Sequence, residues 1–149
     1  MLIYLMFPTI LLLTVTIHYF TLKQLTLVLN ANLGQAVKLI SIVLSLFLAH
    51  ILEIVLYATV YYFSDIFSDN NVLISGSFQE NLNALYFSFL AYSSLGSSDL
   101  IATGWVRILY GFEALNGLLL ITWSASFTFL TMNIVWNCDQ CATSKTNKS

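Results

Sequence analysis

The chain has 149 residues, of which 58% are hydrophobic and 8% are charged, and its formal net charge is −2 at pH 7. Because a soluble domain carries roughly 25% charged residues, this composition excludes a soluble globular domain and indicates an integral membrane protein in a lipid bilayer. The slight negative charge leaves no basic surface for nucleic acid, and the length corresponds to one domain.

The first two predicted spans are residues 2–22 and 36–63, and both are predominantly apolar. A helix needs roughly 20 apolar residues to cross a bilayer, so both segments are long enough. The N-terminus lacks the positive region and the small-residue cleavage site of a signal peptide, and we expect it to be retained as an anchor. Residues 1–35 are therefore predicted to be an N-terminal transmembrane helix followed by a cytoplasmic turn.

A polar, acidic segment at residues 64–80 predicts an outer loop, and an apolar, aromatic segment follows at residues 81–93. The second segment is too short to span a bilayer and suits a buried or re-entrant helix, with Asn81 or Asn83 as its N-cap. Irregular backbone at membrane depth must be buried in protein or line a water-filled cavity. Since one chain is too small to enclose such a cavity, we expect several copies around an axis, with residues 94–99 lining it.

The third predicted span covers residues 105–136 and is followed by a short polar tail, residues 137–149. Cys138 and Cys141 in this tail have the C-x₂-C spacing of a zinc half-site, but a closed site needs four ligands. The two alternatives are a site pooled between subunits and two free thiols in a reducing cytoplasm, and we favour the thiols.

The basic residues predict the orientation of the chain. Lys23 and Lys38 flank the turn between the first two spans, Lys145 and Lys148 lie in the tail, and Arg107 lies on the opposite side. The positive-inside rule makes the lysine side cytoplasmic. We therefore expect the N-terminus outside and the C-terminus in the cytoplasm, in a bacterial inner membrane.

The order of a span, an outer loop, a short aromatic helix, a filter-like strand, an acidic residue and a further span resembles the pore module of tetrameric potassium channels. The resemblance covers about residues 40–132, including a W-x-R pattern at residues 105–107 and Gly117, where the family often has a hinge glycine. The family's filter reads T-V-G-Y-G-D or T-L-G-Y-G-D. The resemblance implies that the filter here consists of Ser94, Leu95, Gly96, Ser97, Ser98 and Asp99.

The resemblance implies an all-α membrane protein that forms a homotetramer around a central pore and passes monovalent cations, K⁺ and Na⁺, without a cofactor. Potassium filters replace the hydration shell of the ion with rings of backbone carbonyls. Here Ser97 stands where the tyrosine holds the width of the filter, and Ser98 replaces a glycine expected to need a left-handed backbone. A side chain there costs about 1–2 kcal/mol per chain, so we predict weak selectivity for potassium.

Two other classes of function are weighed against a channel. A non-conducting or regulatory membrane subunit would keep the fold and have lost the filter, as the changes at Ser97 and Ser98 allow. A membrane enzyme is disfavoured, because the sequence shows no nucleophile–base set or metal cluster at catalytic spacing.

Glu53 and Glu113 are carboxyls within spans, where such groups usually face the bundle interior or a water cavity. We assign both to the support of the filter. Glu113 either anchors the filter or contributes to a cation site, or it is a neutral acid bonded to Tyr, Ser or His of a neighbouring helix. Glu53 shares a helix face with His50, with which it forms a bond or a proton relay. His18 is expected to be a bonded helix contact rather than a ligand.

Asn116 on the last span either faces a central cavity or bonds across to another helix. Ser124 is interpreted as a small packing residue. If the family's register holds, the cavity and gate are mostly apolar, and such a constriction can close by dewetting. The residues assigned to this cavity are Asn116, Gly117, Leu118, Ile121 and Ala125.

Overall fold

The computed structural model describes residues 2–67, 73–75, 80–96 and 100–146. Within these residues the chain forms four α-helices and two short β-strands. In chain order they are α1 (Leu2–Asn30), α2 (Gln35–Phe67), β1 (Leu73–Ser75), α3 (Glu80–Tyr92), β2 (Leu100–Ala102) and α4 (Val106–Thr146). The predicted all-α membrane fold is confirmed.

Of the described helices, three are long and apolar enough to cross a membrane, over Met6–Asn30, Gln35–Ser64 and Val106–Trp136. At 1.5 Å rise per residue, even a 25-residue span is about 37 Å long, which exceeds the roughly 30 Å of a hydrocarbon core. The helices α1 and α4 continue past the predicted ends of their spans, to Asn30 and Thr146. Neither extension contains glycine or proline, the residues that most disfavour helix.

The fourth helix, α3, has 13 residues and lies between α2 and α4 in the chain. Its length of about 20 Å is less than the thickness of the hydrocarbon core, in agreement with the short helix predicted there. Phe87 of this helix packs edge-on against Tyr61 of α2, with ring centroids 5.1 Å apart, and lies 5.0 Å from Tyr110 of α4. The short helix is therefore held between the second and third spans.

The two strands form a short antiparallel pair that the sequence analysis did not predict. Leu73 pairs with Ala102, Ile74 with Ile101 and Ser75 with Leu100. Three residues are too few to show the alternating pattern by which a strand is recognised from sequence. The pair joins the segment before α3 to the segment before α4. Helix α3 and the turn that follows it therefore lie in the chain between the two paired strands.

One apolar cluster in the interior of the bundle contains residues from every described helix. Its buried members are Phe7, Ile10, Tyr57, Tyr61, Ala84, Phe87, Val106 and Leu109. A second cluster of Leu22, Leu25, Ile42 and Leu46 joins α1 to α2. Because α1 supplies Phe7 and Ile10 to the first cluster, this additional helix is part of the core that surrounds α3.

Candidate functional site

The carboxyl of Glu113 joins α4 to α2 and α3 in the interior of the bundle. Glu113 lies on α4 and is fully buried. Its Oε1 accepts a hydrogen bond from Ser88 Oγ of α3 at 2.5 Å, and its Oε2 accepts one from the hydroxyl of Tyr61 of α2. Ser88 Oγ also lies 2.8 Å from the carbonyl oxygen of Ile54 on α2. Glu113 thus has the tyrosine and serine partners expected of a carboxyl bonded to neighbouring helices, and one of them is on the short helix.

The carboxyl of Glu53 lies in a second polar cluster, near the end of α3. Its Oε1 is 2.9 Å from His18 Nδ1 of α1, and its Oε2 is 3.3 Å from His50 Nδ1 on its own helix. The hydroxyl of Tyr92, the last residue of α3, donates to the same Oε2 and is 2.8 Å from His50 Nδ1. The expected His50–Glu53 bond and the expected helix contact of His18 are both present.

Ser124 of α4 closes this second cluster into a ring. Its Oγ lies 3.1 Å from His18 Nε2 and 3.0 Å from His50 Nε2. Sequence reasoning missed this role, as it missed that of Tyr92. The spacing of Glu113, Gly117 and Ser124 could have indicated it. These residues are separated by close to whole numbers of helical turns, so they lie on one face of α4.

Asn116 lies on the same buried side of α4 and bonds across to two other helices. Its Nδ2 donates to Thr14 Oγ1 of α1 at 2.8 Å and to the hydroxyl of Tyr57 of α2 at 3.1 Å. Of the two alternatives for Asn116, the cavity-facing one is therefore wrong for this chain: the side chain is 2% exposed and bonded inside the bundle.

Gly117 is required by a close approach between α4 and the end of α3. A Cβ at this position would lie 2.3 Å from the backbone oxygen of Tyr92 and 3.0 Å from its carbonyl carbon. No real Cβ contact is that short, and the obstructing atoms are backbone. The family resemblance implied a hinge glycine facing a cavity; here the residue is buried and contacts α3.

The other three residues assigned to the cavity lie on an exposed side of α4, next to the buried face. Leu118 is 55% exposed and Ile121 is 41% exposed, and Ala125 is also exposed. Each is free to face a neighbouring copy, lipid or a pore, and their cavity role stays a prediction.

The short helix ends in an exposed turn at the predicted start of the filter. The amide of Ser94 bonds to the carbonyl of Ala91 at 2.9 Å, and that of Leu95 bonds to the carbonyl of Leu90 at 3.0 Å. This is a Schellman C-cap, in which the first residue past the helix is left-handed and usually glycine. Ser94 occupies that position with φ 58°, Leu95 is 77% exposed, and Gly96 has φ 78°.

Some predicted site residues lie outside what the structure describes. Ser97, Ser98 and Asp99 fall between the described residues 96 and 100, and the side chains of Cys138 and Cys141 are likewise not described. Among the side chains that are described, every buried nitrogen and oxygen has a hydrogen-bond partner. The polar interior of the bundle is thus satisfied within the chain, as a low-dielectric environment requires.

A short helix held between two membrane spans, with an exposed polar turn at its end, defines the chain as a membrane pore module. The family model described as "Ion channel" matches residues 49–133, which is more than half of the chain. The chain therefore belongs to this ion-channel family. Comparison with curated proteins and with solved structures gave no match. Helix α1, with His18, lies outside the matched range.

Proposed function

We propose that this channel subunit forms a homotetrameric pore that passes K⁺ and Na⁺ with weak discrimination between them. The observation that carries the proposal is the exposed turn at the end of α3, residues 93–96. The amides and carbonyls of such a turn cannot be solvated by lipid, so at membrane depth they must line a water-filled space. Copies of the chain around an axis would enclose that space.

The charge at the end of α3 favours cations in it. The aligned peptide dipoles of a helix give its C-terminus a partial charge of about −0.5. No basic residue lies in the last turn of α3 to neutralise this charge. Copies arranged around one axis would direct several such helix ends at the same volume, which would attract a cation and repel an anion.

The hydrogen bonds of Ser88 and Tyr92 support a fixed position for α3 in such a pore. Ser88 lies within the helix and bonds to Glu113, while Tyr92 ends the helix and bonds to Glu53. A filter built from backbone carbonyls depends on the placement of the backbone. In this proposal, Glu113 and Glu53 hold the helix from which the filter starts.

A non-conducting subunit is the second candidate. The replacement of the family's tyrosine and second glycine by Ser97 and Ser98 favours it, because both changes remove features that maintain filter geometry. Ser94 already occupies a left-handed conformation that costs a non-glycine residue about 1–2 kcal/mol. The fold would then be retained for assembly with other channel subunits.

Flux through purified protein in liposomes separates the two candidates. Vesicles are loaded with KCl or NaCl and diluted into a buffer of an impermeant cation, and efflux is followed with a pH-sensitive dye and a protonophore. We expect efflux of both cations, and none from protein-free vesicles. Efflux of neither cation from vesicles that contain folded protein would contradict a conducting pore and identify the non-conducting subunit.

The number of copies is tested separately by the protein mass of the detergent-solubilised particle. We expect the mass of four chains, because the pore needs a closed ring of copies. A particle with the protein mass of one or two chains would remove the proposed pore, whatever the outcome of the flux assay.

We propose further that the chain lies in a bacterial inner membrane with its N-terminus outside and its C-terminus in the cytoplasm. Support comes from Lys23, Lys38, Lys145 and Lys148 on one side of the spans, against Arg107 on the other. Labelling of Cys138 and Cys141 with a membrane-impermeant maleimide tests this. Labelling is expected only after the cells are opened, and labelling of intact cells would reverse the orientation.

A further inference from the structure

The cluster around Glu53 brings three metal-binding groups to one point. Ligand atoms of His18, His50 and Glu53 all lie within 4.8 Å of one another. Neighbouring ligands of a tetrahedral zinc ion bound at about 2.0–2.1 Å are separated by about 3.3 Å. The contacts of Glu53 with His18 and His50, at 2.9 Å and 3.3 Å, are already close to that separation.

A fourth donor completes the set. The hydroxyl of Tyr92 lies 2.8 Å from His50 Nδ1 and is bonded to Glu53 Oε2. Two imidazole nitrogens, a carboxylate oxygen and a phenol oxygen therefore converge. Imidazole and oxygen ligands suit first-row transition metals such as Zn²⁺ rather than Ca²⁺ or Mg²⁺, which prefer oxygen ligands alone.

The hydrogen bonds of Ser124 bear on which ring nitrogens of His18 and His50 carry a proton. Ser124 Oγ is within hydrogen-bond distance of the Nε2 atoms of both His18 and His50. Its single proton can be donated to only one ring, so at least one ring donates its own Nε2–H to the hydroxyl, and the two lone pairs of the hydroxyl can accept from both rings when a metal is bound. A neutral imidazole with its proton on Nε2 has a lone pair on Nδ1, the atom that faces Glu53 and Tyr92. Metal-bound histidines are held in this way, with the far nitrogen donating to an outer partner.

We propose that His18, His50 and Glu53 form a binding site for a divalent transition-metal ion of the Zn²⁺ class, with Tyr92 as the nearest fourth donor. Glu53 and His18 are fully buried, whereas the side chain of His50 is 17% exposed and opens the cluster to the surface. The ion-pair partners of Glu53 among the described side chains are the two imidazoles. A divalent ion would therefore supply the fixed positive charge that the carboxylate lacks.

The proposed metal site needs a residue that lies outside the family's pore module. The family match begins at residue 49 and so includes His50, Glu53, Tyr92 and Ser124 but not His18. By supplying His18, α1 provides a metal ligand. A bound ion would link α1 and α2 directly to the last residue of α3, next to the exposed turn. This inference does not depend on whether the pore conducts.

Zinc titration of the purified full-length protein tests the site. All proteins carry Cys138→Ser and Cys141→Ser, which remove the other candidate zinc ligands, and none retains a polyhistidine tag. After treatment with a chelator, ZnCl₂ is titrated by calorimetry, and bound zinc is counted after desalting. We expect one zinc per chain.

The variants separate the proposed ligands from their surroundings. His18→Gln and Glu53→Gln should each lower the zinc affinity at least 100-fold, and Ser124→Ala should lower it about 10–100-fold, as the loss of an outer partner does. Glu113→Gln is the matched control, since it alters a buried carboxyl with a tyrosine partner but no histidine. It should retain one zinc per chain.

Two results would overturn the proposal: no zinc bound to the cysteine-free protein, or binding that His18→Gln and Glu53→Gln leave unchanged. If these variants fail to fold, X-ray absorption of the zinc-loaded cysteine-free protein decides. Two imidazoles at about 2.0–2.1 Å support the site, and a zinc shell without imidazole contradicts it.

Discussion

The two buried carboxyls among the described side chains, Glu53 and Glu113, have the same residue type and the same full burial, but different neighbours. Glu113 accepts hydrogen bonds from the hydroxyls of Tyr61 and Ser88. Glu53 also has a tyrosine partner, Tyr92, but its other neighbours are two imidazoles. Hydroxyls keep their protons near neutral pH, whereas imidazole is the commonest metal ligand in proteins. The chemistry of a carboxyl inside a membrane bundle is therefore set by the residues that other helices bring to it.

The two carboxyls also hold α3 at different points. Glu113 binds Ser88, within the helix, and Glu53 binds Tyr92, at its end. Between them, Gly117 allows α4 to approach the backbone of Tyr92. The Glu113 cluster therefore fastens α3 along its length. The Glu53 cluster lies where a bound ion would contact the end of α3. Substitution of Gly117 would disturb both clusters together, and substitution of Glu53 or Glu113 would disturb one cluster at a time.

The largest effect is expected from Gly117→Ala, which disturbs both clusters at once. The added methyl group would lie 2.3 Å from the backbone oxygen of Tyr92, so α3 and α4 must separate. Overpacking of this kind typically costs about 1–3 kcal/mol, and the shift also loosens the bonds of Ser88 and Tyr92. Thermal unfolding of the solubilised particle should show a marked loss of stability.

Gly111→Ala is the matched control for this change. A Cβ at Gly111 meets no atom within 4 Å, and alanine is favoured over glycine within a helix by about 1 kcal/mol. This variant should be as stable as the original protein or more so. Equal stability of both variants would show that the contact between Gly117 and Tyr92 does not constrain the bundle.

Next in size are the changes Glu53→Ala and Glu113→Ala, which separate the clusters. Each buried polar group left without a partner costs about 1–3 kcal/mol. Each change leaves one such group, His18 Nδ1 or the Tyr61 hydroxyl, because Tyr92 and His50 still bond each other and Ser88 still bonds the carbonyl of Ile54. Among the described side chains, however, Glu53→Ala removes three hydrogen bonds and Glu113→Ala removes two. Glu53→Ala should therefore lower the unfolding temperature more than Glu113→Ala. The reverse order would show that the additional hydrogen bond of Glu53 does not stabilise the bundle.

Smaller effects are expected from the corresponding glutamine variants. Glutamine keeps the shape of the acid and both donates and accepts hydrogen bonds. Since the partners of Glu113 are hydroxyls that can also do both, Glu113→Gln should leave assembly and cation flux almost unchanged. Loss of flux in a stably assembled Glu113→Gln particle would indicate instead that an ionised carboxylate acts on the permeating ion.

Hydropathy and length predicted the three spans and the short helix, because lipid requires internally bonded apolar helices. The contact between His50 and Glu53 followed from their spacing on one helix. The contacts of Glu53 with His18 and Tyr92 did not, since they depend on how separate helices are rotated against one another. The same holds for Gly117: the sequence shows the glycine, but only the packing of α4 on α3 shows why a side chain is excluded.

The central claim, a cation pore with an altered outer filter, is tested most directly by recording from bilayers with K⁺ on one side and Na⁺ on the other. The account predicts current with a reversal potential less than about 59 mV from zero, the value for a tenfold preference between monovalent ions. The double change Ser97→Tyr and Ser98→Gly should move this potential toward potassium selectivity. Absence of current, or a potential in the unaltered protein well beyond that value, would contradict the claim.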